Sequence, residues 1–554
     1  MKKTRRLALF AATATLAVGA LSGCGQSATP TTTGSNGGSN SAVVNQPMVV
    51  VPSPYGTFQP NFSPFQGNAN QGTDGLIYQP LFYFDNVSSN VYPFLGTNYS
   101  WSNGDKTLTV NLQQHAKWSD GKPFTSKDVV FTFNLFKKYP ATDTNGVWNE
   151  LTSVTANGKY QVIFQFKKAD VPFAAFVLGS YIVPQHIWAS LGNPSKVNVP
   201  NPVGTGPYVL GSFSPEVYTL KANPNYYGGE PDIRNLQYPA YTSNDSADLA
   251  LAKGQIDWAG IFIPNIQNVY SSKSPNNKYW FPPDGDVVLY PNLTNPLLGN
   301  LAVRQAISLG INRQQIDQEG EYGFEAPASP TGLVLPNDNS WIDPSLTTSQ
   351  LSYSYNPAKA IQILEKAGFK KNAQGIFESS SGQPLSFTLQ VVTGWTDWDS
   401  DSELISQQLK QIGINVTVQE EQFGSYYSNL TGHNYQLTIS WTNNTGPNPY
   451  YQYENMLATK GGWNIEQWSN PATTEALSNF EKTTNLAAQQ QQIYKIEKVM
   501  VNSLPTIPLV YAATWNEYND SNITGWPTAQ NPYVNPAPFT GAADAVVLMH
   551  LHGR

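Results

Sequence analysis

Tryptophan, tyrosine and asparagine side chains, more than any set of titratable ones, stand where this sequence could do chemistry. Trp395 and Trp398 follow the strand-like PLSFTLQVV (384–392), Trp258 closes the GQID run, and Trp441, Tyr450 and Tyr451 share one stretch with Asn443 and Asn444. Flat aromatic faces beside paired amide donors and acceptors suit a neutral, polyhydroxylated guest. An indole covering about 100 Å2 of such a guest contributes on the order of 2 to 3 kcal/mol before association costs. The chemistry expected is binding, with no cofactor. The sequence holds no HExxH, GxSxG, CxxC or GxxxxGK[ST], so protease, esterase, thiol-redox and nucleotide chemistry lack their usual frames. Five histidines are scattered apart from His550 and His552, which read as terminal surface groups in preference to metal ligands. A secreted hydrolase stays open as the reading from another class, because glycosidase clefts use the same aromatics and spacing cannot show whether two acids flank a cleft.

One further residue is reactive by position. The chain opens with MKKTRR, an apolar run from Leu7 to Leu21, then Ser22 and Gly23 before Cys24, its only cysteine. This reads as a secretory signal, residues 1–23, too short for a confident membrane span. The tetrad Leu21-Ser22-Gly23-Cys24 resembles the bacterial lipobox, whose cysteine sulfur takes a diacylglyceryl group. Two or three acyl chains, at about 0.8 kcal/mol per buried CH2, hold a protein on a bilayer stably. Residues 24–44, including GQSATPTTTGSNGGSNS, lack apolar periodicity and read as a flexible tether reaching about 25 Å. With one cysteine there is no intrachain disulfide, so an extracytoplasmic body must rely on packing.

The elements that must position those residues belong to a large, loop-rich globular chain. Its 554 residues suggest roughly three to four domain-sized units. Apolar residues make up 40% and charged ones 12%, with 43 Gly and 41 Pro, which excludes global disorder, coiled coil and collagen. The formal charge is −7, and Lys2, Lys3, Arg5 and Arg6 fall in the leader, so the remainder is more acidic still, the wrong sign for nucleic acid. LTVNLQ (108–113) and YQVIFQF (160–166) alternate as half-buried strands, with turns at Asn103-Gly104 and Asn157-Gly158. Between them Thr125 and Asp128 form a capping-box start for a helix with Val129, Phe133 and Phe136 on one face. Further helices are expected at 301–311, 356–369 and 402–414, the last between the strands 384–392 and NVTVQEE, a βαβ unit. Arg304, one turn into its helix, is expected to tie two segments together through an ion pair. No fixed-period repeat is present.

Eight strings in order resemble the family 5 solute-binding proteins of ABC importers. They are YQPLFYFD (78–85), WSDGKPFTSKDVVFTF (118–133), PVGTGPYVL (202–210), NPNYYGGEPDI (223–233), LAKGQIDWAG (251–260), NPLLGNLAVRQAISLGINRQQI (295–316), YNPAKAIQILEKAGF (355–369) and LPTIPLVYAATWNEYN (504–519). The resemblance implies an α/β, two-lobed periplasmic-binding-protein-like fold of type II, with an extra subdomain in lobe I and a hinge of two crossing segments near 287–291 and 505–511. Lobe I would comprise 45–77, 203–288 and 509–554, its extra subdomain 78–202, and lobe II 289–508.

Peptide receptors of this family usually carry, after a tryptophan late in lobe II, an acidic segment whose aspartate pairs with the peptide amine. Here the stretch SWTNNTGPNPYYQYENML (440–457) places Asn443, Asn444 and Thr445 at those positions, and a neutral amide does not offset a buried ammonium. The family implies an oligopeptide, which large clefts hold through backbone hydrogen bonds; the residues favour a β-linked oligosaccharide as the alternative. The ligand-binding set is Trp258, Trp395, Trp398, Trp441, Asn443, Asn444, Tyr450 and Tyr451. The implied partners are ABC permease subunits with cytoplasmic ATPases and, through Cys24, the outer face of a membrane, with the protein itself a monomer.

Overall fold

The computed structural model describes residues 42–54, 56–442, 446 and 448–554, with Phe423 and Gly424 described by backbone alone. Three sheets organise these residues. The first has seven strands in the order Asn277–Tyr279, Glu517–Asn519, Trp258–Ala259, Met48–Val51, Asn235–Pro239, Val217–Ala222 and Tyr208–Phe213. Its central strand, MVVV, is an unbroken apolar run parallel to both neighbours, as expected where both faces are covered. The helix Ala542–His550 contributes Ala543, Val547 and Leu548 to the same core.

The second sheet has four antiparallel strands in the order Gly96–Ser102, Thr107–Leu112, Gln161–Phe166 and Leu151–Ala156. Thr107–Leu112 and Gln161–Phe166 alternate buried and half-buried residues throughout, and the first two strands turn through Asn103 and Gly104, both with positive φ. Helix Ser126–Lys138 starts on the expected capping box, with Thr125 N–H donating to Asp128 Oδ2 at 2.9 Å, and buries Val129, Phe133 and Phe136 in this unit's core. Gly204 and Gly206 serve a closer fit than their sequence context alone suggests. A Cβ there would sit 1.9 Å from Ile77 O and 2.2 Å from Leu76 O, so the need is close approach, not an unusual φ.

The third sheet carries five strands in the order Asn415–Glu421, Ser386–Val392, Leu437–Trp441, Pro283–Pro291 and Ile507–Ala513. Ser386–Val392, helix Thr396–Gln411 and Asn415–Glu421 form the expected parallel βαβ unit, in register from Ser386 opposite Asn415. The helix begins six residues before the expected start, because Thr396 and Asp397 enter it directly after the turn at Gly394, whose φ is +81°.

The crossings lie elsewhere than 287–291 and 505–511. Both of those segments are paired within the five-stranded sheet, Val287 opposite Val510 and Leu289 opposite Ile507. The chain passes between the two large sheets at 280–282 and 514–516, where Trp280 N–H donates to Asn516 O at 3.1 Å and Thr514 N–H to Pro282 O at 2.9 Å. Extended apolar segments read as linkers because a buried strand and a crossing have the same pattern in one dimension.

Arg304 is buried, and it ties segments together without a carboxylate. Its guanidinium donates to Leu504 O and Leu298 O at 2.8 Å and to Ser503 O at 2.9 Å. Two of those carbonyls close helix Leu486–Ser503, whose C-terminal end favours a cation.

Candidate functional site

Parallel strands Ser386–Val392 and Leu437–Trp441 end side by side, the place where α/β sheets hold ligands. The turn after Val392 sets Trp395 just before helix Thr396–Gln411 and Trp398 in its first turn, while Trp441 ends the neighbouring strand. Trp395 lies 4.9 Å from Trp398 and 6.1 Å from Trp441, and Trp398 lies 5.8 Å from Trp441, ring centre to ring centre. Trp463 stacks on Trp441 at 5.4 Å and 25° and donates its indole N–H to Trp441 O at 2.9 Å. Trp398 and Trp463 are buried and form the floor. Trp395, 37% exposed, and the half-buried Trp441 offer faces above it, with the exposed Tyr427 against Trp463 at 6.1 Å. The structure thus brings together three of the sequence-derived candidates and adds Trp463, whose only local signal is the GGWN turn.

Three candidates stand elsewhere. Trp258 is 0% exposed and its indole N–H donates to Asn516 Oδ1 at 2.9 Å and Pro536 O at 3.1 Å, with Trp526 edge-on at 5.7 Å. Its strand is interior to the seven-stranded sheet, so the ring fills core and steadies the crossing at Asn516 instead of facing a ligand. Tyr450 stacks on Phe480 at 4.7 Å and donates to Glu481 Oε1 at 3.1 Å. Tyr451 donates to Pro172 O at 2.5 Å and meets Phe176 edge-on. Both tyrosines are buried where helix Tyr450–Leu457 meets the 170s segment, and their hydroxyls are spent there. Asn443, Asn444 and Cys24 lie outside the described residues.

A second aromatic group brackets the crossings and was missed in the sequence because its members are dispersed. Trp515 lies 5.3 Å from Phe262 and 4.8 Å from Phe281, and Phe281 lies 5.3 Å from Phe324. Tyr322 adds a further face 6.0 Å from Phe262. Phe262 belongs with the seven-stranded sheet, and Tyr322 and Phe324 come from the segment after helix Leu301–Gly310, so these rings span both sides of the hinge.

Buried carboxyls lie between the two aromatic groups. Burial raises Glu321, Glu325 and Asp401 well above the ordinary range, and the charge of neighbouring carboxylates adds to it for each. Asp397, beside Trp398, is pushed up to about 6 by burial. Glu325 Oε1 accepts from Ala513 N at 2.7 Å, at the last residue before the second crossing. Glu321, Glu325 and Asp401 are enclosed, and burial that disfavours their charged forms keeps this region near neutral. Among the described residues, no group of three or more His, Cys, Asp or Glu is placed to hold a metal ion, and no helix is long and apolar enough to cross a membrane.

Comparison with known proteins gives one consistent picture. Residues 90–464 match the family model described as bacterial extracellular solute-binding proteins, family 5 Middle. The oligopeptide-binding protein AppA of Bacillus subtilis is 26% identical over 467 residues, 80% of this chain and 82% of that protein. The crystal structure of the periplasmic oligopeptide-binding protein of an oligopeptide ABC transporter from Thermotoga maritima superposes with a TM-score of 0.86 at 26% identity, covering 92% of this chain and 99% of that one. The same Thermotoga protein bound to mannohexaose superposes with a TM-score of 0.81, over the same shares of the two chains.

Proposed function

Because the chain belongs to the bacterial extracellular solute-binding proteins of family 5, a family of binding proteins and not enzymes, we propose that it captures an oligopeptide between its lobes for an ABC importer. The observation that carries this reading is the likeness over most of the chain to the oligopeptide-binding protein AppA of Bacillus subtilis, with the tryptophan platform of Trp395, Trp398, Trp441 and Trp463 as the binding surface. Trp395 and Trp441 cover the guest. With amides at Asn443 and Asn444, a peptide is held through its backbone and by stacking, with little use of its terminal amine. The lobes shut when the guest adds contacts that exist only in the closed form. Permease subunits receive the solute, cytoplasmic ATPases supply the energy, and lipidated Cys24 keeps the receptor at the outer face of the cell membrane.

A β-linked oligosaccharide is the second reading, supported by the indole platform and by the mannohexaose held by the Thermotoga relative. Calorimetric titration with a peptide library and, separately, with manno-, cello- and xylo-oligosaccharides decides between them. The proposal expects saturable peptide heat; sugar heat with none from peptide would replace peptide by sugar. Labelling with a radioactive fatty acid tests the anchor, and label persisting in Cys24→Ala would sink it.

A further inference from the structure

A second carboxyl-rich place lies at the junction between the four-stranded-sheet unit and the five-stranded lobe. Lys168 Nζ, from the chain leaving strand Gln161–Phe166, sits 2.8 Å from Glu481 Oε2 at the end of helix Pro471–Glu481. Val171 N–H donates to Glu481 O at 3.1 Å, and Tyr451 O–H donates to Pro172 O at 2.5 Å. Tyr450 O–H adds a bond to Glu481 Oε1 at 3.1 Å. Behind this clasp, Ala175 and Phe176 of the first unit pack into the core of the five-stranded lobe.

Acids outnumber the cations that can reach them. Glu150 and Asp170 come from the first unit, Glu454 and Glu481 from the lobe opposite. Lys168 faces them but is 54% exposed, against 13% for Glu481. Lys167 is turned to Trp148 O and Asn149 O, and Lys482 to Asn479. We propose that this junction is a proton-gated latch, in which Glu150 and Asp170 meet Glu454 and Glu481 across the lobes so that closing takes up protons and alkaline pH opens the receptor.

The direction follows from where the groups go. With the clasp made, Asp170 is pushed up to about 8 by burial and by the charge of Glu481, and Glu454 to about 7 by burial, Glu481 and Glu150. Glu150 is raised as well, by burial first, with Lys168 opposing and Glu481 adding. Opening rehydrates these acids and moves the two pairs apart, so they return toward ordinary values and release protons near neutrality. Each proton so linked changes the closing equilibrium about tenfold per pH unit. The latch depends on the two lobes alone, so it stands or falls apart from the identity of the ligand.

Hydrogen exchange on the purified ligand-free protein from pH 5 to 8, corrected for intrinsic rates, reads the latch through Val171 and through helix Tyr450–Leu457, with small-angle scattering following overall closure. Expected is a loss of Val171 protection of about tenfold or more between pH 5.5 and 8, together with a rise in radius of gyration. The double variant Asp170→Asn, Glu454→Gln should stay protected throughout, and Lys168→Met should open at lower pH than the parent. Each single amide variant should show a weakened pH slope, which keeps the test valid if the double variant does not fold. Protection independent of pH in the parent, or an unchanged profile in the amide variants, would overturn the latch.

Discussion

Trp395 and Trp258 show how one residue type divides between ligand and core. Trp395 presents an exposed face beside Trp441, whereas Trp258 is enclosed and spends its N–H on Asn516 and Pro536. Trp395→Ala is therefore expected to weaken ligand binding by about 10- to 100-fold, from ~100 Å2 of lost stacking, with little change in melting temperature. Trp258→Phe should do the reverse, leaving Asn516 and Pro536 without their donor at about 1 to 3 kcal/mol of stability while affinity in the closed form is unchanged. Paired calorimetry and thermal melts separate the two, and a binding loss confined to Trp258→Phe would refute the assignment. The sequence could mark both tryptophans as following strands, but not which strand is interior. For Trp258 the deciding fact is a neighbour more than 250 residues away, Tyr518 opposite it in the sheet.

At the scale of elements, the alternating strands, the capping box at Thr125 and the βαβ unit were legible because each is written in local spacing. The crossings were not. VVLYPN and TIPLVYA look like linkers until they pair with each other, and only the pairing shows that the chain changes lobe at 280–282 and 514–516. The clasp of Lys168 and Glu481 was equally hidden, since its partners are far apart in sequence and ordinary in type. Arg304 was expected in an ion pair and instead holds three carbonyls, linking helix Leu301–Gly310 to the end of helix Leu486–Ser503. Arg304→Met keeps much of the volume but strands those carbonyls in the interior. Denaturant titration should show a stability loss of about 3 kcal/mol or more, with ligand affinity of the folded fraction intact. A loss below about 0.5 kcal/mol would mean that water or a neighbouring side chain satisfies the carbonyls in its place.

Across the whole molecule, buried acids set an unusual pH balance. Burial pushes Asp74 and Asp338 up to about 7 and Glu497 up to about 8. A folded-state value above the unfolded one means that the native protein holds protons the unfolded chain releases. Stability is then greatest below about pH 4 to 5 as far as these groups are concerned, and falls as pH rises from there through about 7 to 8. Melting temperature is expected to be higher at pH 5 than at pH 8, and the opposite order would contradict the burial seen for these carboxyls. The low charge density of the chain fits the same balance, since few surface ion pairs remain to be lost in acid. The central claim is that two lobes close on a solute and leave it chemically intact. Small-angle scattering of the purified protein at pH 8, where the proposed latch is released, with the solute it carries and after that solute is stripped, tests this most directly when joined to mass spectrometry of what is released. The account predicts a smaller radius of gyration in the loaded protein and recovery of an uncut ligand; identical scattering in both states, or a cleaved product, would contradict it.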